Sequence, residues 1–279
     1  MLRGGTPPGT WQQRGASYAE HPCQRSHPAR PTCRRVIAAA SFRSGGEPLL
    51  LRSVDKPLRS CLQRLLDACF LRRRSCDRRG PMPGKLNLKE VQRISAQGSV
   101  WESFCEHRGL FEESLPAIQT LQPPVATDEF FSELACPELP SRAYNECYLF
   151  HGTSAEDARS IMQHGFRLDQ CGSGRLEMGA ADRRGSMFGR GIYMAEHSSK
   201  ADEYARDVNG RRAPKLGAEV AMLVCRVALG TVRRVTHGGN RGAGHSPETR
   251  LQPMLGLEYD SLLGDLQASA GTFREFVIP

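Results

Sequence analysis

The chain has 279 residues, 39% of them hydrophobic and 24% charged, and a formal net charge of +8. That length allows one or two domains with a buried core, and the ordinary apolar fraction excludes a chain that is unstructured throughout. The charge is unevenly placed: residues 1–80 carry fifteen Arg and one Lys against five acids, whereas residues 81–279 carry 22 bases against 25 acids, so any polyanionic partner belongs to the N-terminal arm.

Residues 1–48 are rich in Pro, Gly, Ser and Arg without periodicity, the composition of a disordered arm. With Glu20 and Glu47 as its acids, the arm is compatible with an organelle-targeting segment and equally with a plain basic tail that meets nucleic acid. His21, Cys23, His27 and Cys33 match no common zinc spacing, so no metal is expected. The ten cysteines include no C-x-x-C pair and no apolar leader precedes them, which points to a reduced intracellular setting, nucleus or cytoplasm. No run of about 18 apolar residues occurs, so no spanning helix is expected.

Leu58, Cys61, Leu62, Leu65, Leu66, Cys69 and Phe70 follow the three-four spacing of an amphipathic helix, predicted over about 57–74 with a basic outer face. Such a helix packs on its own domain or meets nucleic acid or an anionic membrane. Gly80-Pro-Met-Pro-Gly84 breaks regular structure and is read as a boundary. It divides a basic, largely disordered arm (1–80) from a folded domain (84–279).

In that domain Leu86–Ile94 alternates as a strand, and Ser99 caps a helix carrying Trp101, Phe104, Cys105 and Leu110. A short helix over Asp128–Leu134 follows a Pro-rich step. Tyr148–Phe150 reads as a strand, and Ser154 with Asp157 forms a capping box for a helix ending near Gly165. A Gly-rich charged loop fills 169–186, and Gly191–Ala195 is a short buried strand. Ser199 and Asp202 suggest a second capping box, with Ala201, Tyr204, Ala205 and Val208 on the inner face. Val220–Leu229 is a nearly unbroken apolar run, expected to be the central strand. Residues 237–253 form a Gly- and Pro-rich loop, and Phe273–Ile278 is a last strand bearing Glu275. Strands dominate without strict βα alternation, so the expected class is α+β on a split, mixed or antiparallel sheet.

Y-L-F-H-G-T-S (148–154) and G-R-G-I-Y-M-A-E-H-S-S-K-A-D-E-Y (189–204) bring His151, Gly152, Tyr193 and Tyr204 to the ends of neighbouring elements. Two aromatic faces, an imidazole and a bare backbone edge suit a flat, cationic, amide-bearing ring. These stretches, with C-R-V-A-L-G (225–230), G-H-S (244–246), Y-D-S (259–261) and F-R-E-F-V (273–277), resemble the catalytic domain of poly(ADP-ribose) polymerases and their mono-ADP-ribosylating relatives. Together they cover most of residues 86–279.

The resemblance implies a split-sheet fold that uses NAD as substrate and transfers its ADP-ribose, without a metal, to acceptor proteins through Glu-, Asp- or Ser-type side chains. It places a His-Tyr-Glu triad at His151, Tyr193 and Glu275. Gly152 would face the nicotinamide carboxamide, Tyr193 and Tyr204 would stack on the ring, and His151 would hold a ribose hydroxyl. Glu275 would stabilise oxocarbenium character and accept a proton; in the family a Glu here accompanies chain elongation.

Three departures stand out. Ala201 replaces a Ser whose hydroxyl commonly bonds the carboxamide, and Thr153 is a candidate partial substitute. The chain ends four residues after Glu275, where the family's strand continues. Residues 81–147 are too few for a helical regulatory domain, and Cys225 lacks the partners of a structural zinc. The competing readings are an inert NAD or ADP-ribose binding module and a nucleic-acid-interacting protein whose basic arm matters most.

Overall fold

The computed structural model describes residues 51–53, 56–94, 99–111, 118–131, 141–170, 187–188, 191–207, 209–211, 213–236 and 259–278. All of them belong to one compact unit, Thr32–Pro279. The arm over 1–48 with its His21, Cys23, His27 and Cys33, the loop at 171–186, and the loop at 237–253 with its G-H-S lie outside the described residues.

In chain order the elements are β1 (Leu51–Ser53), α1 (Lys56–Ala68), β2 (Gln92–Ile94), α2 (Ser99–Leu110), α3 (Asp128–Phe131), β3 (Glu146–Thr153) and α4 (Ala155–His164). Then come β4 (Ile192–Ala195), α5 (Ser198–Asp202), β5 (Ala221–Ala228), β6 (Val232–Val235), β7 (Ser261–Asp265), α6 (Leu266–Ala270) and β8 (Arg274–Ile278). Six strands form one sheet in the order β5-β3-β4-β8-β7-β6. Only β6 and β7 run parallel, and β1 pairs with β2 in a separate antiparallel ribbon. The α+β class with a mixed, open sheet is therefore present.

Strand alternation sorts the core into two faces. Cys147 and Leu149 of β3, Ile192 and Met194 of β4, Cys225 and Val227 of β5, and Phe276 of β8 pack with Phe166 after α4. Tyr148 and Phe150 point the other way, into a cluster with Leu58, Cys61, Leu62, Leu65 and Leu66 of α1. Both faces of β3 are thus dry, which is why its sequence is apolar without alternation. In β5 Cys225, Arg226 and Val227 are buried, while Met222 and Val224, on the α1 side, are partly buried. The strongest apolar run is consequently not central: β5 ends the strand order. An unbroken apolar run reports covered faces, not a covered edge.

Helix α1 forms as its periodicity predicts, but it stops at Ala68 rather than near residue 74. Its apolar stripe completes the core under β3, at about 1.5–3 kcal/mol per fully buried Leu. Residues 56–68 and β3 therefore share one core, and the Gly80–Gly84 stretch is a loop inside a single folded body. The outer face of α1 is also engaged. Arg59 donates to the carbonyls of Leu88 and Lys89 at 2.6 and 2.8 Å. Gln63 donates to the Leu86 carbonyl and accepts from the Leu88 N–H, both at 2.8 Å. These bonds take up the backbone that would have extended the predicted strand, so pairing is confined to Gln92–Ile94.

Candidate active site

Strands β3 and β4 pair only at Phe150 and Ala195, and beyond that point they are not paired. His151 stands at this split. Its Nδ1 lies 2.9 Å from the Tyr193 carbonyl, and its ring meets Phe166 edge-on with centroids 5.0 Å apart. A carbonyl only accepts, so Nδ1 carries the proton and Nε2 remains an acceptor in the neutral ring. Burial lowers the His151 pKa, outweighing the carbonyl bond and Asp157, which keeps the ring neutral. Tyr193 packs beside Phe188, Leu262 and Val277, and its hydroxyl accepts from the Phe188 N–H at 3.0 Å.

Gly152 is required by packing within the protein itself. A Cβ at this position would sit 1.8 Å from the Ala201 carbonyl oxygen and 3.1 Å from the Ala205 nitrogen. Backbone of α5 and the turn after it therefore lies directly on β3. Ala201 is 3% exposed and closes the α1 side of the core. The Thr153 hydroxyl donates to Asp157 Oδ2 at 3.3 Å. Ser154 accepts from the Asp157 N–H at 3.0 Å and donates back to the carboxylate at 2.7 Å, so this capping interaction forms as predicted.

The second predicted capping box does not form. Ser199 Oγ donates to the Leu71 carbonyl at 2.8 Å and accepts from the Leu71 N–H at 3.1 Å, and Asp202 accepts from Arg78 at 2.8 Å. Both side chains are taken by a strap, residues 69–78, that leaves α1 and runs along α5. Ser198 donates its N–H to the Cys69 carbonyl, and Arg78 reaches Glu203 and the Ser199 carbonyl. Helix α1 ends where it does because these bonds replace further helical ones. Tyr204 falls past the end of α5, is 40% exposed, and gives its hydroxyl proton to Asp77 at 2.8 Å.

Glu275 on β8 is 7% exposed and faces this assembly. Lys200, 1% exposed, sets its Nζ 3.3 Å from Glu275 Oε1, 3.0 Å from Glu203 and 2.9 Å from Asp77. The same ammonium lies 4.9 Å from the Tyr204 ring centroid. Burial works against the Lys200 charge, yet Glu275, Asp77 and Glu203 outweigh it and hold the ammonium protonated. Burial also pushes the Glu275 carboxyl above its ordinary range; Lys200 pulls it back, while Asp77 and Glu203 push it further. Enclosure beside Glu275 holds the Tyr204 hydroxyl well above its usual value.

The sequence-predicted residues thus fall into three contacts: His151 with the Tyr193 backbone, Gly152 with Ala201, and Tyr204 with Glu275 through Lys200. Lys200 sits inside S-S-K-A-D-E-Y, but no local signal marks it as a partner of Glu275. Asp77 and Arg78 fall within the stretch expected to be the basic arm, and their contacts with α5 and Tyr204 have no local signal either. The model of the poly(ADP-ribose) polymerase catalytic domain matches residues 74–239, more than half of the chain.

The chain belongs to the poly(ADP-ribose) polymerase catalytic-domain family.

That match begins inside the strap and ends before β7, so Glu275 takes its place from β8 pairing with β4, where it lies opposite Ala195. A poly(ADP-ribose) polymerase tankyrase of Caenorhabditis elegans is 36% identical over 89 residues, 32% of this chain and 3% of that protein. The chain therefore spans a small part of this relative's length. Among the described residues no group of His, Cys, Asp or Glu is arranged to hold a metal, and no helix is long and apolar enough to cross a membrane. Cys61, Cys69, Cys147 and Cys225 are buried free thiols.

Proposed function

We propose that this domain is an NAD-dependent ADP-ribosyltransferase that releases nicotinamide and attaches ADP-ribose to side chains of acceptor proteins. The observation that carries the reading is the buried Glu275 held by Lys200 at 3.3 Å, beside the Tyr204 ring. Tyr193 and Tyr204 flank the nicotinamide, whose cationic ring gains from their π faces. The Gly152 backbone faces the carboxamide, and the His151 Nε2 accepts from a ribose hydroxyl. Ala201 supplies no hydroxyl, so one neutral hydrogen bond is missing, a loss of about 1 kcal/mol or roughly fivefold in NAD affinity.

The bond between the ribose anomeric carbon and the nicotinamide nitrogen breaks with its electron pair leaving on nicotinamide. Positive charge grows on the ribose, and the Glu275 carboxylate stabilises it through the 2′-hydroxyl. The same carboxylate takes the proton of the incoming acceptor hydroxyl as the new bond forms. Burial raises the Glu275 pKa, and Lys200 works against that by favouring the ionised carboxylate. A Glu at this place is compatible with short poly(ADP-ribose) chains.

Incubation with labelled NAD, read on a denaturing gel together with released nicotinamide, tests the proposal. A discrete labelled band means single transfer and a smear means polymer. Neither label nor nicotinamide sinks the transferase reading and leaves the second one, an NAD-binding module without turnover, which Ala201 favours. Glu275→Gln is expected to lose at least 100-fold in transfer, on the order of what one positioned acid or base contributes, while still binding NAD.

A further inference from the structure

The strap delivers a carboxylate that the reaction scheme above does not use. Asp77 lies 123 residues before Lys200 in the chain, yet it contacts both Lys200 Nζ at 2.9 Å and the Tyr204 hydroxyl at 2.8 Å. Its backbone is fixed on either side. Ser75 bonds Glu203 through its N–H at 3.3 Å and its hydroxyl at 2.5 Å, and Arg78 is bonded to Asp202, Glu203 and the Ser199 carbonyl. The Asp77 N–H itself donates to Ser75 Oγ at 3.2 Å. A carboxylate presented this rigidly is preorganised, so its partners take their geometry from it.

An ammonium has three protons to give. Around Lys200 stand Asp77, Glu203, Ser75 Oγ, Glu275 and the Tyr204 oxygen, at 2.9, 3.0, 3.1, 3.3 and 3.4 Å. Acceptors outnumber donors, and among the three carboxylates Glu275 holds the longest contact. Asp77 therefore competes with Glu275 for Lys200, while it also fixes the one hydroxyl that anchors the Tyr204 ring.

We propose that Asp77 is a positioning residue of this site: it orients the Tyr204 ring through its hydroxyl and limits the share of Lys200 that reaches Glu275. The inference rests on the transferase reading for its consequence in catalysis, though not for its geometry. Among the described residues, the charged and titratable groups facing Glu275 are Lys200 of α5, Glu203 and Tyr204 of the following turn, and Asp77 of the strap. Loss of the Asp77 charge removes one repulsion and frees Lys200, and both effects favour ionised Glu275.

The test follows the Glu275 carboxyl carbon by NMR as a function of pH, assigned by its absence in Glu275→Gln. In Asp77→Asn, which keeps the shape and loses the charge, Glu275 is expected to titrate at lower pH than in the unmutated chain. An unchanged titration in folded Asp77→Asn overturns the inference, whatever the protein does with NAD. The acid limb of the rate of nicotinamide release is expected to move to lower pH in the same variant.

Asp77→Ala and Tyr204→Phe should each raise the KM for NAD about fivefold, the worth of one hydrogen bond, and the double variant should raise it no further. Additive effects overturn the ring-positioning role. A shifted Glu275 titration in a chain that releases no nicotinamide supports Asp77's coupling to Glu275 and overturns the transferase reading alone.

Discussion

Gly152 illustrates how one residue serves two demands. A carboxamide ligand needs a backbone it can approach, but packing is stricter, because the Ala201 carbonyl oxygen lies 1.8 Å from where a Cβ would sit. Gly152→Ala forces backbone to move, since neither contact is the tip of a flexible side chain. Overpacking of this kind costs on the order of 1–3 kcal/mol. The variant should unfold at lower denaturant and, on the transferase reading, lose nicotinamide release out of proportion to its stability, as α5 carries Lys200 away from Glu275. His151, Gly152, Tyr193 and Glu275 could be put forward from the sequence because each sits in a short motif on a strand. Asp77 could not, because no local pattern marks a carboxylate whose partners are over a hundred residues away.

At the scale of elements, the strap has no regular structure and yet fixes where α1 ends and how α5 is held. Arg78 is its buried anchor: the side chain is 3% exposed and sits 2.8 Å from Asp202 and 3.3 Å from Glu203. Burial raises the Asp202 pKa and Arg78 pulls it back, so the carboxylate depends on this guanidinium. Arg78→Ala leaves those acids buried without their cation, and urea denaturation should show a loss of about 3–5 kcal/mol. Periodicity found α1 and its buried stripe, and Ser154 with Asp157 marked the start of α4. It misjudged Ser199 and Asp202, whose spacing is that of a capping box but whose partners come from the strap. A capping signature is local, and a tertiary hydrogen bond of better geometry overrides it.

Across the molecule, the open sheet leaves charge buried at its centre. His197 precedes α5, with its Nδ1 3.7 Å from Glu196 and beyond hydrogen-bond reach, while Glu196 lies 3.3 Å from Arg274. Burial, reinforced by Arg274 and Arg73, holds the His197 pKa down at about 4. An unfolded histidine titrates near 6.5. Below that pH the unfolded chain binds a proton that the folded one refuses, so stability is lost as pH falls from about 6.5 through about 4. This group's share is roughly 3 kcal/mol. Glu196 and Glu275, raised by burial, act in the opposite sense. Denaturation midpoints of His197→Gln should therefore fall less steeply over this pH range than those of the unmutated chain.

The sequence by itself determined the α+β class and the strands β3, β4, β5 and β8, and it supplied the motifs from which the roles of His151, Gly152, Tyr193 and Glu275 are proposed. These follow from local chemistry: apolar runs, a capping serine, and short strings with fixed spacing. Only the tertiary structure decided that β5 lies at the end of the sheet, that α1 belongs to the core of β3, and that Asp77 and Lys200 meet Tyr204 and Glu275. Hydrogen bonds and ion pairs between distant segments have no period to read, and a buried charge is recognisable only once the groups that neutralise it are in place around it.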